Sequence, residues 1–237
     1  MTELRLYQTV HVAGGHPRLV GAHAALLAEA ARTLFGYDYA PDTRQLESRI
    51  AAVARAERYP QTVSGFVRIE LTADGSERLL PAGLSFYNGY ALRSLTPDAR
   101  IVRCEIPFAD FPTSAREALH GLADRRAQAD GGDIALLADH QGICRTADSA
   151  PLFAVRGNDV FTDPTLRSVE RDAAAHAIRA LGLTLHEEPI RCDELDRLDE
   201  LFFVDHRGVT ALAHCGDTAY MSLTAERTAE RMEELFA

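Results

Sequence analysis

Alternating apolar and polar positions predict two strand regions in the first third of the chain. Leu4–Val12 is rich in β-branched and aromatic residues and ends at Ala13-Gly14-Gly15-His16-Pro17. Phe66–Thr72 alternates apolar and polar residues from Val67 onward, and Asp74-Gly75 turns it into Arg78–Leu84, a predicted hairpin. Between these strands the apolar period lengthens to that of a helix. Val20–Phe35 stops at Gly36, and Thr43 caps a second helix through Arg58, with Leu46, Ile50 and Val53 at i, i+4 and i+7. Another strand is predicted over Arg100–Ile106. Strand, helix, helix, strands describe a small α+β domain over residues 1–107.

Residues 108–113 (FADFPT) read as a linker, because Pro112 disfavours helix just before it. Residues 114–237 predict a larger mixed α/β domain. A helix capped by Thr113 or Ser114 runs to Asp130, followed by short strands at Ile134–Ala138, Ile143–Thr146 and Leu152–Val155. A helix from Ser168 to Leu181 stops at Gly182. Strands at Leu201–Val204 and Val209–Ala213 then lead to a C-terminal helix, Thr224–Phe236. The expected fold class is α+β, built from two mixed α/β subdomains.

Composition narrows the chemistry. Of 237 residues, 25 are basic and all of these are Arg; there is no Lys. Chemistry that holds a carbonyl compound as a lysine imine is therefore excluded, as is the lysine-dependent P-loop. A formal charge of −10 argues against nucleic acid or an anionic membrane as partner. The four cysteines form no C-x-x-C pair, and no H-x-x-x-H occurs, so neither a metal site nor a disulfide framework is expected. With no signal-peptide pattern and no apolar run near the roughly 20 residues of a membrane-spanning helix, the expectation is a cytoplasmic protein.

An ordered series of motifs adds a family. LRLYQTVHVAGGHPRLVGAHAALL (Leu4–Leu27), with His23, is followed by DIALLADHQGICRT (Asp133–Thr146). VFTDPTLRSVERDAAAHAIRALGLTLHEEPI (Val160–Ile190) and Leu198-Asp199-Glu200-Leu201-Phe202 complete it. In this order they resemble the class IV aminotransferase fold family, which includes branched-chain and D-amino-acid aminotransferases and aminodeoxychorismate lyase. The resemblance implies two subdomains with a cavity near the linker, homodimers, and pyridoxal phosphate as cofactor.

The departures fall on the cofactor contacts. The family's Schiff-base Lys lands on Thr113, or on Pro112 if the register slips by one. The phosphate-neutralising Arg lands on Leu26, and the Glu that pairs with the pyridine nitrogen lands on Thr146. An Asn of the family's next motif becomes Pro151. The turn that cradles the phosphate reads Ser168-Val169-Glu170-Arg171. No bound cofactor is therefore expected, and a small anionic metabolite is the expected ligand.

By resemblance, Thr113, Cys144, Thr146, Arg171 and Asp205-His206-Arg207 approach one cleft. Arg171 either holds an anion or pairs with Glu170 or Asp172 as a helix N-terminal residue. His206 and Arg207, where the family has a phosphate-contacting turn, either bind a carboxylate or phosphate or form an exposed hairpin turn. Cys144 is either a nucleophile beside His206 or a buried inert thiol. Two other readings remain open. One is a cofactor-independent enzyme using His206 as acid/base with Cys144 or Thr113; the other is an aminotransferase- or lyase-like enzyme with non-covalently bound pyridoxal phosphate.

Overall fold

The period-2 segments of the first half pair into one antiparallel sheet in the computed structural model, which describes residues 3–106 and 108–237. Its order is β2 (His16–Pro17), β1 (Arg5–Ala13), β3 (Gly65–Thr72), β4 (Glu77–Leu84). The register sets Leu6 against Leu71 and Val10 against Val67, so all four side chains enter the core. Helix α1 (Val20–Ala30) continues as a π-helical turn to Phe35 and ends at Gly36, whose φ of +77° a side chain would disfavour. Helix α2 (Thr43–Ala56) buries Leu46, Ile50 and Ala54. Its cap is Asp42, not the expected Thr43: the Asp42 carboxylate accepts the Gln45 N–H at 2.9 Å.

These elements form a first unit of residues up to Gly89, together with Phe111–Ala115 and Phe236–Ala237. Half of the expected linker, residues 111–113, is thus pinned. The Tyr7 N–H donates to Pro112 O at 3.1 Å and Leu6 bridges Thr113, because the free backbone groups of β1 need partners.

The second unit comprises Tyr90–Asp110 and Arg116–Leu235. Here the expected boundary near residue 107 gives way. Strand β5 (Asp98–Arg103), assigned from sequence to the first domain, pairs in parallel with β6 (Ile134–Ala138). Beyond β6 lie β7 (Ile143–Ala147), β8 (Ala150–Arg156), β9 (Asp159–Phe161) and β10 (Thr184–His186). A two-residue β11 (Ile190–Arg191) pairs with β7. The hairpin β12 (Glu200–Asp205) and β13 (Gly208–Ala211) attaches to β8. Short strands β14 (His214–Cys215) and β15 (Thr218–Ala219) lie beyond β5. The helices are α3 (Ser114–Ala129), α4 (Val169–Ala180) and α5 (Leu223–Phe236).

Helix α5 starts without a side-chain cap of its own. Instead the buried Glu200 carboxylate of β12 accepts the Thr224 N–H at 2.7 and 2.8 Å and the Ala225 N–H at 3.0 Å. No helix among the described residues is long and apolar enough to cross a membrane.

Candidate functional site

Two tight turns of the second unit bring charge together. The sequence Asp205-His206-Arg207-Gly208 has the signature of a type I turn, Asp first and Gly fourth. Asp205 accepts the Arg207 N–H at 2.7 Å, and Gly208 takes a φ of +118°. A Cβ on Gly208 would stand 2.4 Å from Ala91 O, so only glycine fits this approach. The neighbouring β7–β8 turn holds both Asp148 (φ +45°) and Ser149 (φ +64°) in the left-handed region without a glycine. Two guanidinium groups clamp it. Arg207 bonds the Asp148 carboxylate at 2.5 Å as well as Asp205, and Arg116 donates to Ser149 O at 2.9 Å. Left-handed backbone costs about 1–2 kcal/mol at a non-glycine residue. Ser149→Gly is therefore expected to raise stability by about 0.5–1 kcal/mol in urea denaturation, after the entropy cost of glycine.

Charge at this place is already balanced. Burial opposes ionisation of Asp205, yet Arg207 and His206 hold its carboxyl below the usual range. Burial depresses His206, with Asp205 only partly offsetting it. Arg207 is raised by Asp205 and Asp148 against the cost of burial. At the start of α4, Ser168 caps the Arg171 N–H at 3.3 Å and donates its hydroxyl to Glu170 at 3.0 Å. Glu170 is 7% exposed, and burial, with Asp205 and Asp172 adding repulsion, pushes its pKa up to about 7. The N-terminus of α4 is thus occupied by a carboxylate of the chain itself.

Arg171 is equally engaged. It donates to Asp163 O at 3.1 Å and forms ion pairs with Asp172 at 2.9 Å and Glu187 at 2.8 Å. Pairing with Asp172 is the structural alternative weighed from the sequence.

Cys144 and Thr146 were expected to share a cleft, and the structure separates them. The pairing of β6 with β7 runs Leu137↔Thr146 but Ala138↔Cys144, leaving Arg145 as the extra residue of a β-bulge. Cys144 therefore faces the core with Ala138, Ala147 and Cys215, while Thr146 faces the other side with Leu137. Cys144 is fully buried, and its hydrogen bond to Cys192 together with burial raises its pKa. Those are the conditions of an inert thiol. Thr113 is buried in the first unit, on the segment that bridges Leu6.

On the Thr146 side lies a cavity of about 540 Å³. Its lining includes Arg116 and His120, one turn apart on α3, with Leu137, Arg145, Thr146 and Leu166. Arg145 is fixed by Asp139 at 3.0 Å and Asp163 at 2.5 Å. His120 is 3% exposed; burial, with the nearby Arg116 charge, lowers its pKa to about 3, so the imidazole is neutral. Arg116 and His120 were missed in the sequence. Their i, i+4 spacing on α3 was the available signal, hidden among other polar residues of that helix. No group of three or more His, Cys, Asp or Glu among the described residues is arranged to hold a metal.

Comparison with known proteins gives one family. The model of the family "Amino-transferase class IV" matches residues 5–205. The structure is similar to branched-chain aminotransferase from Thermoproteus uzoniensis with norvaline, at 17% identity and a TM-score of 0.83, covering 98% of this chain and 85% of that one. It is similar to a putative 4-amino-4-deoxychorismate lyase from Legionella pneumophila, at 15% identity and a TM-score of 0.78, covering 92% and 85%. An aminotransferase from Brucella abortus bound to PLP gives 17% identity and a TM-score of 0.81, covering 98% and 88%. No curated protein sequence matches.

Proposed function

The chain belongs to the class IV aminotransferase family, and from that premise we propose that it keeps the fold, has lost Schiff-base chemistry on pyridoxal phosphate, and binds a small anionic metabolite. The observation that carries this reading is the absence of any Lys from 237 residues. Neither a side-chain imine nor its return to free amine can form without that amine. The position matched to the family lysine holds Thr113, whose hydroxyl cannot take its place.

The residues at the other cofactor positions do not fit the group either. A phosphate held at the start of α4 would meet Glu170, which is already pushed up to about 7 by burial and by Asp205 and Asp172. Arg207, in the turn matched to the second phosphate contact, is paired with Asp205 and Asp148. Thr146 replaces the carboxylate that pairs with a pyridinium nitrogen.

Titration with pyridoxal phosphate tests the loss of cofactor chemistry. The expected result is no visible absorption band beyond that of the free cofactor and no thermal stabilisation. Tight binding would instead stabilise the fold by about 2.7 kcal/mol at a ligand concentration of 100 Kd, and that result overturns the reading. A thermal-shift panel of carboxylates and phosphates, without the cofactor, is expected to contain at least one stabilising anion.

A further inference from the structure

We infer that the cavity between α3 and the β6–β7 pair is a binding site for a small organic carboxylate with an apolar body. The inference rests on the anionic-metabolite reading above and gives it a place and a ligand class.

The buried part of the lining is chemically simple. It consists of Arg116, His120, Leu137, Thr146 and Leu166, with no carboxylate among them. Glu105 and Asp110 also line the cavity, but both are exposed, and Asp139 is tied to Arg145. The deep end therefore combines apolar surface with positive charge.

His120 and Thr146 are the second observation. Each is more than nine-tenths buried, and neither side chain has a hydrogen-bond partner among the described residues. Neither belongs to the buried polar side chains that are sealed off without a partner, so the imidazole and the hydroxyl have polar atoms that a molecule in the cavity can reach. The neutral imidazole offers one N–H and one lone pair, and the hydroxyl offers a donor. A carboxylate can accept from both.

Arg116 selects the sign of the ligand. It donates to Ala109 O and Ser149 O, so its contribution to a ligand is its charge, held in place by those two carbonyls. That charge disfavours a cation in the same space, as it disfavours protonation of His120. Leu137 and Leu166 then suit an apolar body behind the carboxylate.

Calorimetric titration with benzoate, benzamide and benzylamine, a size-matched anion, neutral and cation, tests the assignment. Benzoate is expected to bind at least tenfold more tightly than the other two. His120→Phe and Thr146→Val, each checked by circular dichroism for folding, are expected to weaken benzoate about tenfold. Should either variant fail to fold, ¹³C-labelled histidine in the unaltered protein gives the same answer: the His120 ring resonance must move when benzoate is added. Equal affinity for benzamide, or an unmoved His120 resonance, overturns the assignment. Benzoate binding that survives both folded variants overturns this cavity and leaves the anionic-metabolite reading standing. No binding of benzoate, propionate or inorganic phosphate overturns both.

Discussion

Replacing Glu200 by Ala is expected to cost about 3–4 kcal/mol of stability, read from urea denaturation as a lower midpoint with an unchanged slope. One buried carboxylate accepts the N–H groups of the second and third residues of α5, Thr224 and Ala225, at 2.7–3.0 Å. Hydrogen bonds to a charged group contribute about 1.5–3 kcal/mol each, and the variant leaves both donors buried and unmet. The negative charge also faces the positive end of the α5 dipole. Glu200→Gln keeps an acceptor and loses the charge, so about half the effect is expected. A loss under about 1 kcal/mol for Glu200→Ala would show that α5 is held by its packing alone, through Ala225, Ala229 and Met232.

Glu170→Gln is expected to stabilise the protein, and to do so only at neutral and alkaline pH. In the folded protein burial pushes the pKa of Glu170 up to about 7, against 4.5 for an ordinary glutamate. Below 4.5 the carboxyl is protonated in both states, and the favourable environment for the neutral form is fully retained. Between 4.5 and 7 the folded state binds more protons than the unfolded one, so stability falls as pH rises. Above 7 the full penalty applies, about 3.5 kcal/mol. The amide carries no charge and avoids this cost. Denaturation series at pH 5 and pH 8 should show most of the gain at pH 8 and little at pH 5. A gain independent of pH would mean that Glu170 is not the titrating group.

This variant also bears on function. A buried carboxylate with a raised pKa is a common mark of an active site, and Glu170 stands where the family resemblance expects a phosphate. A protein that bound phosphate at that position would gain from removing Glu170's charge. The unaltered chain places a third acidic group beside Asp205 and Asp172.

Most elements were legible in the sequence because their periods are long and clean. The pairs β1 with β3 and β3 with β4 follow the alternation of Phe66–Thr72, and α4 follows its Ser168 cap and Gly182 stop. The strands that escaped, β2, β9, β10, β11, β14 and β15, have two or three residues each, too few for a period to show. The domain boundary escaped because β5 looks like a local continuation of the first half, whereas its parallel partner β6 lies more than 30 residues downstream. For the candidate site, the absence of Lys could be read from the sequence, since it requires no geometry. The site was illegible in its positive content. Whether Arg171 and Arg207 are available depends on Glu187 and Asp148, distant in sequence, and Cys144 parted from Thr146 through a bulge that alternation cannot reveal.

That bulge has a genetic consequence. With Arg145 in place, the residues at 144 and 146 face different surroundings, so a point substitution at one leaves the lining of the other untouched. The thiol side and the cavity side of β7 can thus diverge separately under mutation. Loss of the single codon for Arg145 would leave 144 and 146 adjacent and still on opposite faces, with the pairings Ala138↔Cys144 and Leu137↔Thr146 kept, and would remove the guanidinium that joins Asp139 and Asp163. Substitutions at 146 would change the cavity lining alone, whereas a deletion at 145 would release Asp139 and Asp163 from their shared partner.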